Sequence, residues 1–228
     1  METPYPEKRI DYLDNTVCLD ALSSEEKKII AEKMTLTSFK KNEPVIKQGS
    51  LTSNAVLIIE GLVKKVMEQP TGKKRIVELI RHFEFASLLF VLDAPSPSVY
   101  TITALERTVV GFIDVKTLKE IMVKNGQFSL DILLYNTHNF KKLARNIFSL
   151  NTKQMYARVA DVLIDFSQER KKFKIPVTRV DMAQIVGVTP ENLSNILKSF
   201  KQDGIVKIND RDVEVIKPEL LNKISDTG

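Results

Sequence analysis

Residues 178–204 read TRVDMAQIVGVTPENLSNILKSFKQDG and carry the strongest structural signals in this chain of 228 residues. Thr178, with an aspartate three residues later, has the spacing of a capping box and predicts a helix start. Gly187 suits a turn that needs a left-handed backbone angle. Thr189 followed by Pro190 predicts a second helix start. The stretch is therefore predicted to form two short helices joined by a tight turn, the second ending at its final glycine.

The residues between these signals suit two helices that pack across the turn. Ala183, four residues before Gly187, is small enough to let the two helices approach closely. Five apolar residues are available to fill the space between them: Met182, Val186, Val188, Leu193 and Ile196. The combination is typical of a DNA-binding helix–turn–helix. A helix–turn–helix used only for packing or for a protein contact stays open as the alternative.

The charge of this region and the segment that follows the second helix both favour a nucleic-acid partner. Residues 170–207 hold eight basic and three acidic side chains, an excess of five that equals the net charge of +5 of the whole chain. Such local excess attracts polyanions, although a solvated surface has the same composition. Two short β runs, residues 205–208 and 212–216, flank the turn residues Asn209, Asp210 and Arg211 and predict a β-hairpin. This hairpin follows the second helix directly, which is the position of a wing.

The two faces of the second helix carry residues with different predicted roles. Its apolar side chains share one face, and Glu191 and Asn195 share the opposite one. A helix that enters the major groove contacts bases with its N-terminal residues, so Glu191 is a candidate acceptor for cytosine and Asn195 a candidate partner of adenine. Five further residues are candidate phosphate contacts, which supply affinity and register: Thr178, Arg179, Thr189, Lys198 and Lys201.

The chain upstream divides into a β-rich part and a helical part. Between residues 36 and 113 short β runs (39–46, 55–59, 62–67, 75–80, 99–104 and 109–113) alternate with turns, which favours a sandwich or barrel-like unit. The predicted fold class is α+β, with an N-terminal antiparallel β-roll (jelly-roll-like) over residues 1–126. A dimerisation helix over 127–151 and a winged helix–turn–helix over 152–228 complete it.

The predicted long helix over residues 128–150 contains neither glycine nor proline. Six of its residues are spaced like a coiled-coil seam: Leu133, Asn136, Phe140, Leu143, Ile147 and Leu150. A core helix of one domain would show similar spacing. Its position between a β unit and a basic helical unit favours a dimer interface.

This layout resembles the Crp/Fnr family of bacterial transcription regulators, most closely in residues 177–189 (VTRVDMAQIVGVT) and 196–198 (ILK). Residues 56–63 (VLIIEGLV) are similar to a strand–glycine–strand hairpin of that family. The resemblance implies a homodimer that binds double-stranded DNA and contacts RNA polymerase, with a small-molecule effector. It matches Glu191 to the family's base-reading glutamate and adds Ser194, which matches a serine of the Fnr branch, to the base-reading set.

Several family motifs differ in this sequence. Ser87 and Leu88 stand where cyclic AMP-binding members have Gly-Glu, and residues 98–101 hold no arginine for the phosphate. We therefore expect no binding of cyclic AMP. Asn195 replaces an arginine that pairs with guanine, which favours an A·T pair at that position. Pro190 replaces a second arginine of the Crp branch, so the familiar half-sites should not be assumed.

Cofactor and enzyme functions are not expected. The single cysteine, Cys18, excludes a four-thiolate cluster and an internal disulfide. His82 and His138, the only histidines, are assigned ordinary structural roles, and no catalytic constellation or phosphate-binding loop is present. We expect no metal and no cofactor.

Effector control is less determined by the sequence. Aromatic residues of the β unit (Phe83, Phe85, Phe90 and Tyr100) suit a non-nucleotide effector, and core packing explains them equally well. Two alternatives stay open, which are a constitutive DNA-binding regulator and a protein-interaction module whose helix–turn–helix no longer reads DNA. The absence of a signal peptide or of an apolar run long enough to span a membrane predicts a cytoplasmic protein without membrane contact.

Overall fold

The computed structural model describes residues 6–88 and 95–228 and divides into two compact units, Met1–Lys142 and Leu143–Gly228. The first unit begins with two helices, α1 (Pro6–Asp14) and α2 (Ser24–Lys33). Ser23 caps α2 in a complete capping box with Glu26, three residues later.

Ten strands follow among the described residues of the first unit. They are β1 (Thr35–Phe39), β2 (Pro44–Ile46), β3 (Leu51–Thr52), β4 (Asn54–Glu60), β5 (Leu62–Glu68), β6 (Lys74–Arg81), β7 (Phe85–Ser87), β8 (Ser96–Pro97), β9 (Thr101–Ala104) and β10 (Thr108–Asp114). Among the described residues they form two antiparallel four-stranded sheets, in the orders β1-β10-β4-β7 and β2-β9-β5-β6, and the pair β3-β8. The run predicted as one strand over residues 39–46 is wrong, because a turn at residues 40–43 separates β1 from β2.

The two sheets pack face to face. One apolar cluster joins Val56, Ile58 and Val110 of the first sheet to Val63 and Ile80 of the second. Because alternate residues of a strand point to the same side, β4 and β10 each supply a buried row to this layer. The expected β-roll is confirmed, and Gly61 makes its sharp β4–β5 turn at φ +92°. An added Cβ at Gly61 would lie 2.6 Å from the Thr108 hydroxyl oxygen, so the turn has room for no side chain.

Two helices follow the sheets. Helix α3 (Val115–Lys124) begins at the side-chain cap of Asp114 and ends at Asn125. Helix α4 (Gly126–Thr152) runs for 27 residues and continues from the first unit into the second. Gly126 is the first residue of α4, and the Asn125 side chain accepts a hydrogen bond from the backbone of Phe128.

The second unit contains the remaining elements. They are α5 (Met155–Ser167), β11 (Lys172–Lys174), α6 (Arg179–Val186), α7 (Pro190–Gln202), β12 (Val206–Asn209), β13 (Asp212–Val215) and α8 (Pro218–Thr227). The strands form a sheet in the order β11-β13-β12, so the predicted hairpin is present and gains β11 as a third strand. Helix α8 packs on α5, where Asp161 accepts hydrogen bonds from Lys153 and from the Ser225 hydroxyl.

No helix in the described ranges is both long and apolar enough to cross a membrane. The same ranges contain no group of three or more His, Cys, Asp or Glu side chains placed to hold a metal ion.

Candidate nucleic-acid interface

Helices α6 and α7 form the helix–turn–helix that the sequence predicts. The Thr178 hydroxyl accepts the Asp181 backbone N–H at 3.1 Å and donates to the Asp181 carboxylate at 3.0 Å. The Thr189 hydroxyl accepts the Asn192 N–H at 3.2 Å. Both helix starts are therefore satisfied by local side chains, which fixes where each helix begins.

The turn between the helices is built on Gly187, which adopts φ +76° and ψ +42°. The Ala183 carbonyl accepts the N–H of Gly187 at 2.8 Å and that of Val188 at 3.0 Å. Only glycine adopts this left-handed conformation without a steric cost, so the direction of the chain into α7 depends on it. The five apolar residues predicted to lie inside the pair are buried with the exception of Val188, which is half-buried.

The outer face of α7 carries the predicted base-reading residues. Glu191, Ser194 and Asn195 are all exposed, while Leu193, Ile196, Leu197 and Phe200 form the buried face. The Ser194 hydroxyl donates to the Pro190 carbonyl at 2.8 Å, which leaves its oxygen lone pairs available as acceptors. Glu191 and Asn195, four residues apart, lie one turn from each other on the same face.

The five predicted phosphate contacts differ in how far their polar groups are free. Lys198 and Lys201 are exposed and take part in no ion pair among the residues that the structure describes. Thr178 and Thr189 are exposed but use their hydroxyls as helix caps. Arg179 differs from all four because it is half-buried and bonded to the wing.

The wing, defined here as residues 206–215, is joined to the start of α6 by two arginines. Nη2 of Arg179 donates to the Asp210 carbonyl at 2.8 Å, and Nε of Arg211 donates to the Val177 carbonyl at 3.3 Å. Burial lowers the pKa of Arg179, an effect that Asp210 opposes and Arg211 reinforces. Sequence reasoning missed this arrangement, because contacts across about 30 residues leave no periodic signal.

Helix α4 presents an exposed apolar face. Three of the six predicted seam residues are strongly exposed, with relative exposures of 61% for Leu133, 70% for Phe140 and 52% for Ile147. Leu143 is less exposed, and Asn136 and Leu150 are half-buried. The exposed set also contains apolar residues outside the predicted seam: Leu130, Leu134 and Phe148.

The exposed residues of α4 follow a second coiled-coil register. Positions 130, 133, 137, 140, 144 and 147 are all exposed and alternate in steps of three and four. Leu133, Phe140 and Ile147 belong to both registers. The described residues of the chain leave this face uncovered, and exposed apolar faces of this kind are typical of interaction sites.

The inner face of the β unit contains charges beside its apolar cluster. Lys65 of β5 pairs with Glu78 of β6 at 2.9 Å, and both side chains are less than one-fifth exposed. Lys142 of α4 approaches the same carboxylate at 3.7 Å, and the Lys65 ammonium lies 5.7 Å from the centre of the Tyr100 ring. Because Lys65 follows Val63 by two residues and Glu78 precedes Ile80 by two, these charges point to the same side as the core.

The positions expected to differ from cyclic AMP-binding proteins lie in this unit. Ser87 and Leu88 are buried, and the buried Ser98 hydroxyl donates to the Tyr100 carbonyl at 2.8 Å. Of the aromatic residues considered for an effector, Phe85 is buried and Phe83 and Tyr100 are half-buried. Phe90 lies outside the described residues.

Comparison with known proteins agrees with both units. Residues 36–125 match the cyclic nucleotide-binding domain, and residues 157–224 match the Crp-like helix-turn-helix domain. A β domain of this type joined to a DNA-binding helix–turn–helix defines a class of transcription regulators. The chain belongs to the Crp/Fnr family, is a DNA-binding transcription regulator, and has no enzymatic role.

Individual relatives are distant. The transcriptional activator protein FnrA of Stutzerimonas stutzeri is 23% identical over 186 residues, which are 78% of this chain and 75% of FnrA. The nitrogen fixation regulation protein FixK of Rhizobium meliloti is 19% identical over 193 residues, 83% of this chain and 86% of FixK. The solved structure of FixK2 from Bradyrhizobium japonicum has a TM-score of 0.78 at 17% identity, with 86% of this chain and 98% of FixK2 covered.

Proposed function

We propose that this regulator acts as a homodimer that reads a pseudo-palindromic DNA site with the exposed face of α7. The observation that carries the proposal is that Glu191, Ser194 and Asn195 are exposed together on a helix whose start is capped and whose other face is buried. Lys198 and Lys201 flank this face and supply phosphate contacts. Two-fold symmetry places the half-sites about 34 Å apart, one helical turn of DNA.

The apolar face of α4 supports dimerisation. Leu133, Phe140 and Ile147 are exposed in one chain, and a second copy of the same helix would cover them in a coiled-coil-like contact. The register through positions 130, 137 and 144 brings only exposed residues to the centre of that contact. Asn136 and Leu150 then lie at its margin, because part of each is already covered by its own chain.

The effector, if one is used, is not cyclic AMP. Glu78 is paired with Lys65 on the inner face of the β unit, so the Lys65 ammonium is not free to bind the cyclic phosphate. Ser98, Tyr100 and their neighbours offer no arginine to replace that of the cyclic AMP-binding members. The Lys65–Glu78 pair also satisfies its own charges internally, so no anionic ligand is needed to balance it. Calorimetric titration with cyclic AMP should show no binding heat, and a saturable signal would contradict this part of the proposal.

Selection of duplexes from a random DNA pool by the purified protein, without added ligand, tests the central claim. We expect a palindromic consensus with an A·T pair opposite Asn195. N195A should flatten the preference at that base, a loss of about 1–3 kcal/mol of discrimination. Q202A is the matched control, because Gln202 is an exposed amide at the far end of α7.

The outcomes separate the alternatives. A consensus that keeps guanine opposite Asn195, unchanged in N195A, overturns the base assignment but leaves DNA reading intact. Failure to enrich any sequence, both alone and with a metabolite extract, overturns sequence-specific reading and favours a protein-interaction module. Enrichment only with the extract identifies an effector-dependent regulator.

A further inference from the structure

Arg179 and Arg211 bind each other's segments in a reciprocal arrangement. Arg179 opens α6 and donates to the carbonyl of Asp210 at the tip of the wing. Arg211, the next residue of the wing, donates back to the carbonyl of Val177, just before α6. A charged donor makes a stronger hydrogen bond than a neutral one, so these two contacts hold the wing tip more firmly than a single neutral bond would.

Backbone contacts run beside the arginines. The Ile175 N–H donates to the Arg211 carbonyl at 2.8 Å, and β11 pairs with β13 so that Lys174 lies opposite Asp212. Asp210 adopts φ +52°, a left-handed conformation that a non-glycine residue adopts at a cost. The Arg179 contact to the Asp210 carbonyl therefore falls on a residue in the left-handed region.

The guanidinium of Arg179 is poorly placed to reach DNA. Its Nη1 atom is inaccessible to solvent and has no hydrogen-bond partner among the described residues, while its Nη2 is bonded to the wing. A phosphate oxygen therefore has no access to Nη1, and at Nη2 it would compete with the Asp210 carbonyl. Lys201, by contrast, is exposed on α7 and takes part in no ion pair among the described residues.

We propose that Arg179 is a positioning residue that fixes the wing tip against the start of α6, and that it does not serve as a phosphate contact. Its effect on DNA binding is then indirect: it sets the angle of the wing relative to the recognition helix. This inference rests on the DNA-binding role for its functional consequence, but the contact to the wing is testable without DNA.

Two measurements on the full-length protein distinguish positioning from phosphate contact. The first is amide hydrogen exchange of the wing in R179Q, with K201Q as the matched control because both remove one positive charge. The second is the slope of log K against log salt for binding to the selected site. A lost phosphate contact lowers that slope by about 0.9 per protomer.

We expect R179Q to accelerate exchange at Ile175 and in residues 209–212. The same variant should weaken DNA binding about tenfold, or about 1.4 kcal/mol, with the salt slope unchanged. K201Q should lower the slope and leave wing exchange as in the wild type. A lowered slope in R179Q with unchanged wing exchange overturns the proposal.

R179K keeps the charge and is the second variant if R179Q does not fold. The shorter ammonium lacks the guanidinium fork, so the proposal predicts faster wing exchange in R179K. Near-wild-type exchange together with near-wild-type affinity would overturn it. If the wild type itself selects no DNA, the proposed function fails, and wing exchange in R179Q still decides whether Arg179 positions the wing.

Discussion

The hydroxyl of Tyr135 on α4 makes two hydrogen bonds to the backbone of one residue, Phe85 of β7. It accepts the Phe85 N–H at 3.1 Å and donates to the Phe85 carbonyl at 3.3 Å. The two rings also meet edge to face, with centroids 6.4 Å apart. Because a helix turns about 100° per residue, Tyr135 and Lys142 lie on the side of α4 opposite Phe140. One side of α4 is thus attached to the β unit and the other side is exposed.

Removal of the Tyr135 hydroxyl should destabilise the protein. Y135F leaves the buried Phe85 backbone without its side-chain partner, which costs about 1–3 kcal/mol in unfolding free energy. Urea denaturation measures this loss. Y156F is the matched control, since the exposed Tyr156 makes a ring contact with Phe200, and its hydroxyl has no hydrogen-bond partner within the described ranges. An equal effect of both variants would contradict the role of the Tyr135 bonds.

Stability should also fall at alkaline pH through Tyr135. Burial raises the pKa of Tyr135 to about 12 from its ordinary value of 10.0. The folded state therefore holds this proton more tightly than the unfolded state, so the contribution is complete below pH 10 and is lost as pH rises towards 12. Between pH 9 and pH 11 the wild type should lose about 1 kcal/mol more than Y135F. An equal pH dependence of the unfolding free energy in the two proteins would contradict this contribution of Tyr135.

Cys18 should be unreactive in the folded protein. Burial raises the pKa of its thiol to about 12, with Asp131 and Asp20 adding to the shift, and only 8% of the residue is exposed. Since the thiolate is the nucleophile, iodoacetamide at pH 8 should modify the native protein slowly and the urea-unfolded protein rapidly. Fast native modification would show that the segment around Cys18 opens readily.

A charge on the exposed face of α4 should prevent dimerisation. F140E places a carboxylate in the predicted interface, and the partner helix would bring a second one close to it. We expect a monomer by sedimentation and at least about tenfold weaker DNA binding, a loss of about 1.4 kcal/mol or more. R145Q is the matched control, because it changes the charge by the same one unit and Arg145 lies about 140° around the helix from Phe140. A dimeric F140E would place the interface elsewhere.

The Asp161 carboxylate should stabilise the second unit. It accepts bonds from Lys153 at 2.9 and 3.0 Å, from Ser149 at 3.2 Å and from the Ser225 hydroxyl. D161N removes the charge at the centre of these contacts and should cost about 1–3 kcal/mol. D165N, one turn later on α5 and exposed, should change stability by less than about 0.5 kcal/mol. The comparison of their denaturation midpoints is the test.

Local signals specify the helix–turn–helix. The caps at Thr178 and Thr189 and the turn at Gly187 depend on neighbours within four residues, so their residue types alone predict them. The strands of the β unit were largely predicted for the same reason, since alternation and turn residues are local. The prediction of one strand over residues 39–46 was wrong because the turn at residues 40–43 contains neither glycine nor proline. Asn42 supplies the left-handed angle of this turn instead.

Three features depend on contacts between distant parts of the chain. The exposed register of α4 follows from Tyr135, Lys142 and the half-buried Asn136, which mark the side of the helix that the β unit covers. The Lys65–Glu78–Lys142 cluster joins residues from two strands and a helix. From the sequence alone, Arg179 is predicted to be a surface cation. Its contact with the wing forms only in the folded structure.

The order of residues was therefore enough to establish the class of fold, the helix–turn–helix and the residues on its outer face. Those properties follow from backbone propensities and helix periodicity, which act over a few residues. Folding in three dimensions determines which polar side chains are free to meet DNA and which are occupied within the protein. That distinction depends on burial and on partners far along the chain, as the Asp210 carbonyl beside Arg179 shows.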